Sequence, residues 1–258
     1  MQVDAVILAG GDGEVIDPAC RFKGLLPVAG RPLVEWVVDA FLAAETIAEV
    51  AVVMPTAENL GPWVDKVGKL IVSDRGFMDN TIAGISAFRS DRPVLVATGD
   101  IPLITPEAID DFVRRSLASG ADFTYPLVAR TRMEEQYPGS QRTYFRLRSG
   151  WHTGGNLMLA NPLLVPKVRE LGQRLFDQRK NPVGIVKMAG LGFVLKFVMG
   201  RLSPEDLAGK IEQLFGGAGA AITSTFGSLA VDVDKTADLE LVERVLAAEG
   251  RSRSLSVE

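Results

Sequence analysis

The sequence predicts an α/β protein of three layers, a mostly parallel mixed sheet with helices on both faces. Three observations predict it. Short, β-branched apolar runs alternate with segments of helical period through the first 120 residues. The order of these units, strand, helix, strand, strand, helix, strand, helix, is that of crossover connections, which place helices on the faces of a parallel sheet. The chain has 258 residues, 47% of them hydrophobic, and a chain of that size buries a large core without covalent staples.

The first run, residues 3–9, is apolar, β-branched and stopped by Gly10-Gly11, the pattern of a fully buried strand. Pro32 stands just inside a helix whose apolar positions Leu33, Val34, Val37, Val38, Phe41 and Leu42 share one face. Residues 49–54 and 69–72 read as strands, 80–88 as a helix, and 93–98 as a strand ending in Gly99-Asp100. Thr105 caps the next helix with Pro106 in its first turn, and Ile109, Phe112, Val113 and Leu117 form its inner face. Beyond Gly120 the pattern is less regular. Residues 122–128, 143–147 and 156–160 read as strands, 163–176, 183–199 and 203–215 as helices, 229–233 as a strand and 237–248 as a helix. The glycine-rich stretch 216–220 reads as a turn, and 251–258 as a flexible tail. The expected organisation is one domain over 1–250 with a helical insertion at about 163–216.

Composition excludes several function classes. Cys20 and His152 are the only residues of their types, so sites built from several cysteines or histidines are absent and a reducing, cytoplasmic compartment is expected. Lys and Arg number 28 against 32 Asp and Glu, a net charge of -4, which argues against nucleic acid held by a basic face. Residues 183–199 are apolar but carry Lys187 and Lys196, too interrupted for a membrane span. The sequence leaves the oligomeric state open.

Ligands of such sheets bind beyond the carboxyl ends of the strands, which directs attention to residues 10–24 and 98–102. Gly10, Gly11 and Gly13 follow the first strand and would let backbone N–H groups approach an anion, while Lys23 adds a movable cation. The stretch is neither a P-loop nor the dinucleotide fingerprint, since no Gly-Lys-Ser/Thr follows and Ile16 stands at the third glycine. A tight turn with a surface lysine is the alternative. Asp100, at the end of a buried strand, suits a hard divalent cation, or else caps a turn.

Leu8-Ala9-Gly10-Gly11-x-Gly13, with Lys23-x-Leu25-Leu26-Pro27-Val28-x-Gly30-Arg31-Pro32-Leu33, resembles the signature of nucleotidyltransferases of the glycosyltransferase-A-type fold, in particular the molybdenum-cofactor guanylyltransferase-like NTP transferases. The Gly99-Asp100-Ile101-Pro102 and Asp232-Val233-Asp234 segments are similar to the family's two metal motifs. The resemblance implies a Rossmann-like nucleotide-diphospho-sugar transferase fold and transfer of a nucleoside monophosphate from an NTP (GTP or CTP) to a phosphorylated small-molecule acceptor, releasing pyrophosphate, with Mg²⁺ as cofactor. It implies catalytic roles for Lys23 and Arg21, and nucleotide contacts from Leu8, Ala9, Gly10, Gly11, Gly13, Lys23, Asn80, Thr81 and Gly84. Metal ligation falls to Asp100 and Asp234, with Asp232 less suited, and Gly155 and Asn156 fall on the acceptor side.

The sequence departs from the family at Val15, where the common pattern has an arginine, and Arg21 is the residue expected to stand in. Arg130, Arg132, Arg142, Arg146 and Arg148 form a cluster that lines an anionic acceptor pocket or simply a solvated edge. A glycosyltransferase using a nucleotide sugar and a catalytically silent nucleotide-binding protein are the alternative functions.

Overall fold

In the computed structural model, residues 1–164 and 190–254 are described. The chain begins with β1 (Val3–Leu8), whose six residues are all buried. A long loop leads through a 3-10 turn at Lys23–Leu25 to the short hairpin β2 (Pro27–Val28) and β3 (Arg31–Pro32). Pro32 therefore closes this hairpin and precedes the helix it was expected to open, α1 (Leu33–Ala43). Next come β4 (Ile47–Met54), β5 (Lys69–Val72), α2 (Phe77–Ser86), β6 (Val94–Thr98) and α3 (Pro106–Ser119). Thr105 caps α3 as expected, its side chain accepting from Ala108 N–H, and Gly120 ends the helix in the left-handed conformation.

The second half comprises β7 (Phe123–Ala129), α4 (Arg130–Gln136), β8 (Phe145–Leu147), β9 (Gly150–Gly154), β10 (Leu157–Ala160), α5 (Leu191–Val198), α6 (Pro204–Phe215), β11 (Gly219–Ser224) and α7 (Thr236–Ser254). The helix expected at 163–176 lies, beyond a turn at Pro162–Leu164, outside the described residues. The stretch 229–233 is not a strand. It is a 3-10 turn over Gly227–Ala230 followed by extended chain, and its apolar side chains are explained by burial, since Leu229, Val231 and Val233 are fully covered. The last strand is β11, which starts inside the glycine-rich stretch read as a turn. Its small residues carry no hydrophobic alternation, and it is held by parallel pairing to β7. Residues 251–254 continue α7 where a flexible tail was expected.

The sheet runs β5-β4-β1-β6-β10-β7-β9-β8, with β11 also paired to β7. The pairs β4/β5, β1/β4, β1/β6 and β7/β11 are parallel, whereas β10 is antiparallel to both neighbours and β9 to both of its own. This is the mostly parallel mixed sheet that the alternation predicts. Along β1 the side chains alternate: Val3, Ala5 and Ile7 join the core beneath α1 and α3, while Val6 and Leu8 join Ile85 of α2 and Phe88 just beyond it. Gly84 permits this second packing. A Cβ there would lie 2.4 Å from Val6 Cγ1, so α2 can approach β1 only because the position has no side chain. Layered in this way, the ends of β1, β4 and β6 open into one crevice.

Candidate nucleotide and metal site

The loop after β1 is a closed hairpin. Asp12 pairs with Phe22, and around that pair Gly13 N–H donates to Arg21 O at 3.1 Å and Lys23 N–H to Gly11 O at 3.1 Å. The chain thus leaves the strand at Gly10 and returns to it at Lys23. Gly11 adopts φ +105°, a left-handed conformation that disfavours any side chain. Among the described residues, the N–H groups of Gly10 and Gly11 donate to no protein acceptor. Those two amides belong to residues that also bound the cavity described below, which suits them to an anion there. The other predicted loop contacts have internal duties: a Cβ on Gly13 would lie 2.4 Å from Cys20 O, so the hairpin closes only without a side chain there, and Ala9 lies buried with its N–H on Val53 O.

Lys23 is buried, and its Nζ donates to Asp100 Oδ2 at 2.6 Å and to Asp234 Oδ1 at 2.5 Å. Burial pulls the ammonium's pKa down, but the Asp100 and Asp234 carboxylates more than offset this and hold it above the ordinary lysine value. Asp100 is fixed from both directions along the chain, by Gly99 N–H on Leu8 O at 2.8 Å and by its own carbonyl accepting from Val233 N–H at 2.9 Å. The cap of α3 is Thr105, so Asp100 is free of that duty.

Asp232 joins the same centre. Oxygens of Asp100, Asp232 and Asp234 lie within 4.8 Å of one another, and Asp100 Oδ1 is buried without a partner. Three hard oxygen ligands, one of them unsatisfied, fit a divalent cation such as Mg²⁺. Sequence reasoning set Asp232 aside; what brings it in is Arg142, whose guanidinium pairs with the Asp232 carboxylate and donates to Asp232 O at 2.8 Å and Asp238 Oδ1 at 3.1 Å. Asp238 in turn accepts from Asp234 N–H at 3.2 Å, so one buried arginine orders the whole 232–238 turn. Among the described residues the other arginines of the cluster contact the protein itself. Arg130 and Arg132 pair with Glu134 and Glu135, Arg148 donates to Arg201 O, and the stem of Arg146 lies beside Gly200.

Beside this centre lies a cavity of about 280 Å³ bounded by Leu8, Gly10, Gly11, Val53, Arg75, Phe77, Asn80, Thr98 and Asp100. Leu8, Gly10, Gly11, Asn80 and Asp100 were foreseen, and Thr98 lies in the stretch 98–102 to which the strand ends pointed; Val53, Arg75 and Phe77 were not foreseen. The Asn80 side chain accepts from Ser73 Oγ at 2.7 Å and donates to Arg75 O at 3.0 Å, which fixes the turn into α2. Thr81 Oγ1 donates within its helix to Phe77 O, and Gly84 faces β1, so neither bounds the cavity. Arg21 is exposed, stacks over Phe22 at 5.0 Å and lies outside the cavity wall, as does the exposed Val15. Gly155 and Asn156 stand on the β6/β10 side, where Asn156 N–H donates to Leu229 O and Asn156 O accepts from Thr98 N–H. His152 is buried with Nδ1 3.1 Å from Gly150 O, a structural placement. A larger cleft between α5 and α6, about 560 Å³, holds no residue of the carboxylate centre.

The α/β crevice brings together glycine amides without a protein acceptor, a buried lysine and three carboxylates. Residues 5–187 match the MobA-like NTP transferase domain, and the chain belongs to that family. A solved structure described as a hypothetical transferase from Thermus thermophilus superposes with a TM-score of 0.82 at 33% identity, covering 93% of this chain and all of that one. The bifunctional protein GlmU of Rhodospirillum rubrum is 34% identical over 117 residues, 45% of this chain and 26% of that protein. The 2-C-methyl-D-erythritol 4-phosphate cytidylyltransferase of Chlorobium luteolum is 33% identical over 138 residues, 47% of this chain and 57% of that one. The chain thus spans between a quarter and three fifths of the length of these two curated relatives.

Proposed function

We propose that the protein transfers a nucleoside monophosphate from an NTP to a phosphorylated small-molecule acceptor, releasing pyrophosphate, in a Mg²⁺-dependent reaction. The observation that carries this is Lys23, held between Asp100 and Asp234 beside the free amides of Gly10 and Gly11. An oxygen of the acceptor phosphate attacks the α-phosphorus of the NTP, the bond from that phosphorus to the bridging oxygen breaks, and pyrophosphate leaves with the electron pair. The nucleophile is already an anion, so no general base is needed, and the chain's one histidine is buried in β9.

Lys23 and the two glycine amides stabilise the charge that builds on the α-phosphate and the leaving pyrophosphate. Asp100 and Asp234, with Asp232 alongside, would hold the divalent ion, which supplies Lewis-acid neutralisation of phosphate charge when bound. Arg142 keeps the 232–238 turn in place for that ligation. The relatives support the reading, since one of them carries a phosphorylated acceptor in its name.

A pyrophosphate-release assay with the four NTPs against sugar, polyol and pterin phosphates tests it. One NTP–acceptor pair giving stoichiometric pyrophosphate and nucleotidylated product is expected. No NTP binding by calorimetry in the presence of Mg²⁺ would overturn the reading.

A further inference from the structure

Arg75 bounds the cavity yet none of the motifs assigns it a task. It is the single cationic side chain on the cavity wall among the described residues, and its guanidinium makes no ion pair or hydrogen bond there. Its backbone is fixed, because Asn80 Nδ2 donates to Arg75 O at 3.0 Å. A free arginine on an anchored turn, one residue before the N-cap of α2, faces whatever fills the crevice.

Sheet order decides which part of a nucleotide that is. Across the crevice stand the loop after β5 with Arg75, the end of β4 with Val53, the loop after β1 with Gly10 and Gly11, and the end of β6 with Asp100. Neighbouring strands are about 4.8 Å apart, so β5 and β6 are separated by roughly 14 Å. The phosphate-binding groups occupy the β1–β6 end. The nucleobase falls at the β5–β4 end, against Val53, Phe77 and Arg75. There the other polar candidates are engaged: the Asn80 amide bonds to Ser73 and to Arg75 O, and the Thr81 hydroxyl bonds within its helix.

We propose that Arg75 reads the base edge and selects the nucleotide, an inference that rests on the nucleotidyl-transfer reading above. A guanidinium offers donors only, in a planar fork. It matches two adjacent acceptors, as in O6 and N7 of guanine or O2 and N3 of cytosine, and meets a competing donor at the amino group of adenine.

Calorimetric titration of the full chain with GTP, CTP, UTP and ATP in Mg²⁺, and with pyrophosphate, tests this. The wild type is expected to prefer GTP or CTP over ATP. Arg75→Met should weaken the preferred NTP by about 10- to 100-fold while leaving ATP and pyrophosphate affinities unchanged. Arg75→Lys should retain the charge and still lose discrimination. Titration with 7-deaza-GTP separates the two edges: weakening to the level of GTP on Arg75→Met assigns guanine N7, and an unweakened 7-deaza-GTP with preferred CTP assigns the cytosine edge. An equal fall for all four NTPs and pyrophosphate in Arg75→Met would make Arg75 a phosphate ligand and overturn the proposal, as would selectivity identical to wild type. A wild type that binds no NTP overturns the nucleotidyl-transfer reading itself, before any variant is compared.

Discussion

Lys23 sits 2.6 and 2.5 Å from two carboxylates, so it competes with any cation that those carboxylates bind, and in the proposed reaction it also neutralises phosphate. The two roles separate in a variant. Lys23→Met is expected to lower turnover by about 10²- to 10³-fold, the scale of a lost transition-state donor. The same variant should bind Mg²⁺ more tightly, because the competing ammonium is gone; calorimetry with Mg²⁺ alone reads that change. A fall in both quantities would mean that Lys23 builds the site without acting in it. Much of this residue-scale chemistry was legible in the sequence: Lys23, Asp100 and Asp234 come together as their motifs imply. Asp232 was the less suited ligand, Arg142 was one of a cluster of arginines given no part in the carboxylate centre, and Arg75 had no reading at all. Arg142 and Asp232 meet across 90 positions of chain, and no local spacing encodes such a meeting.

At the scale of elements, α2 shows how a packing requirement resembles a binding motif. Gly84 and Thr81 look like substrate contacts in the sequence, yet one lets the helix approach β1 and the other bonds back along the helix. Gly84→Ala is therefore expected to cost about 1–3 kcal/mol of stability, read as a lower urea midpoint, with NTP affinity unchanged in whatever protein remains folded. A weakened NTP affinity without loss of stability would return Gly84 to the binding surface. The same distinction explains the mistaken strand at 229–233: burial of Leu229, Val231 and Val233 produces an apolar run whether or not the backbone joins the sheet. It also explains the missed β11. Its sequence, Gly-Ala-Ala-Ile-Thr-Ser, states little about its partner, and pairing with β7 decides its conformation. The first 120 residues were more legible because β1, β4 and β6 there are largely buried and stop at or near a glycine or proline.

For the molecule as a whole, nucleotide binding is coupled to stability. A ligand at one hundred times its Kd adds about 2.7 kcal/mol. For a chain of this size that corresponds to a rise in Tm of roughly 5–10 °C. The preferred NTP with Mg²⁺ is expected to give such a rise, and EDTA should remove most of it if the carboxylates act through a divalent ion. An equal rise in EDTA would place the binding energy in the amides and Lys23 alone. Among the described residues no helix is long and apolar enough to cross a membrane.

The Lys23–Asp234 contact joins positions 211 residues apart. During synthesis the phosphate loop emerges first, and the parallel strands around it must wait for their crossovers, while the last carboxylate leaves the ribosome only after most of the chain. A nascent chain stalled before residue 232 has the glycine amides and Lys23 but lacks two of the three carboxylates of the centre. The carboxylate centre is thus complete only once residues 232–234 have joined it, and their arrival turns a crevice with one lysine and one acid into one with an excess of negative charge.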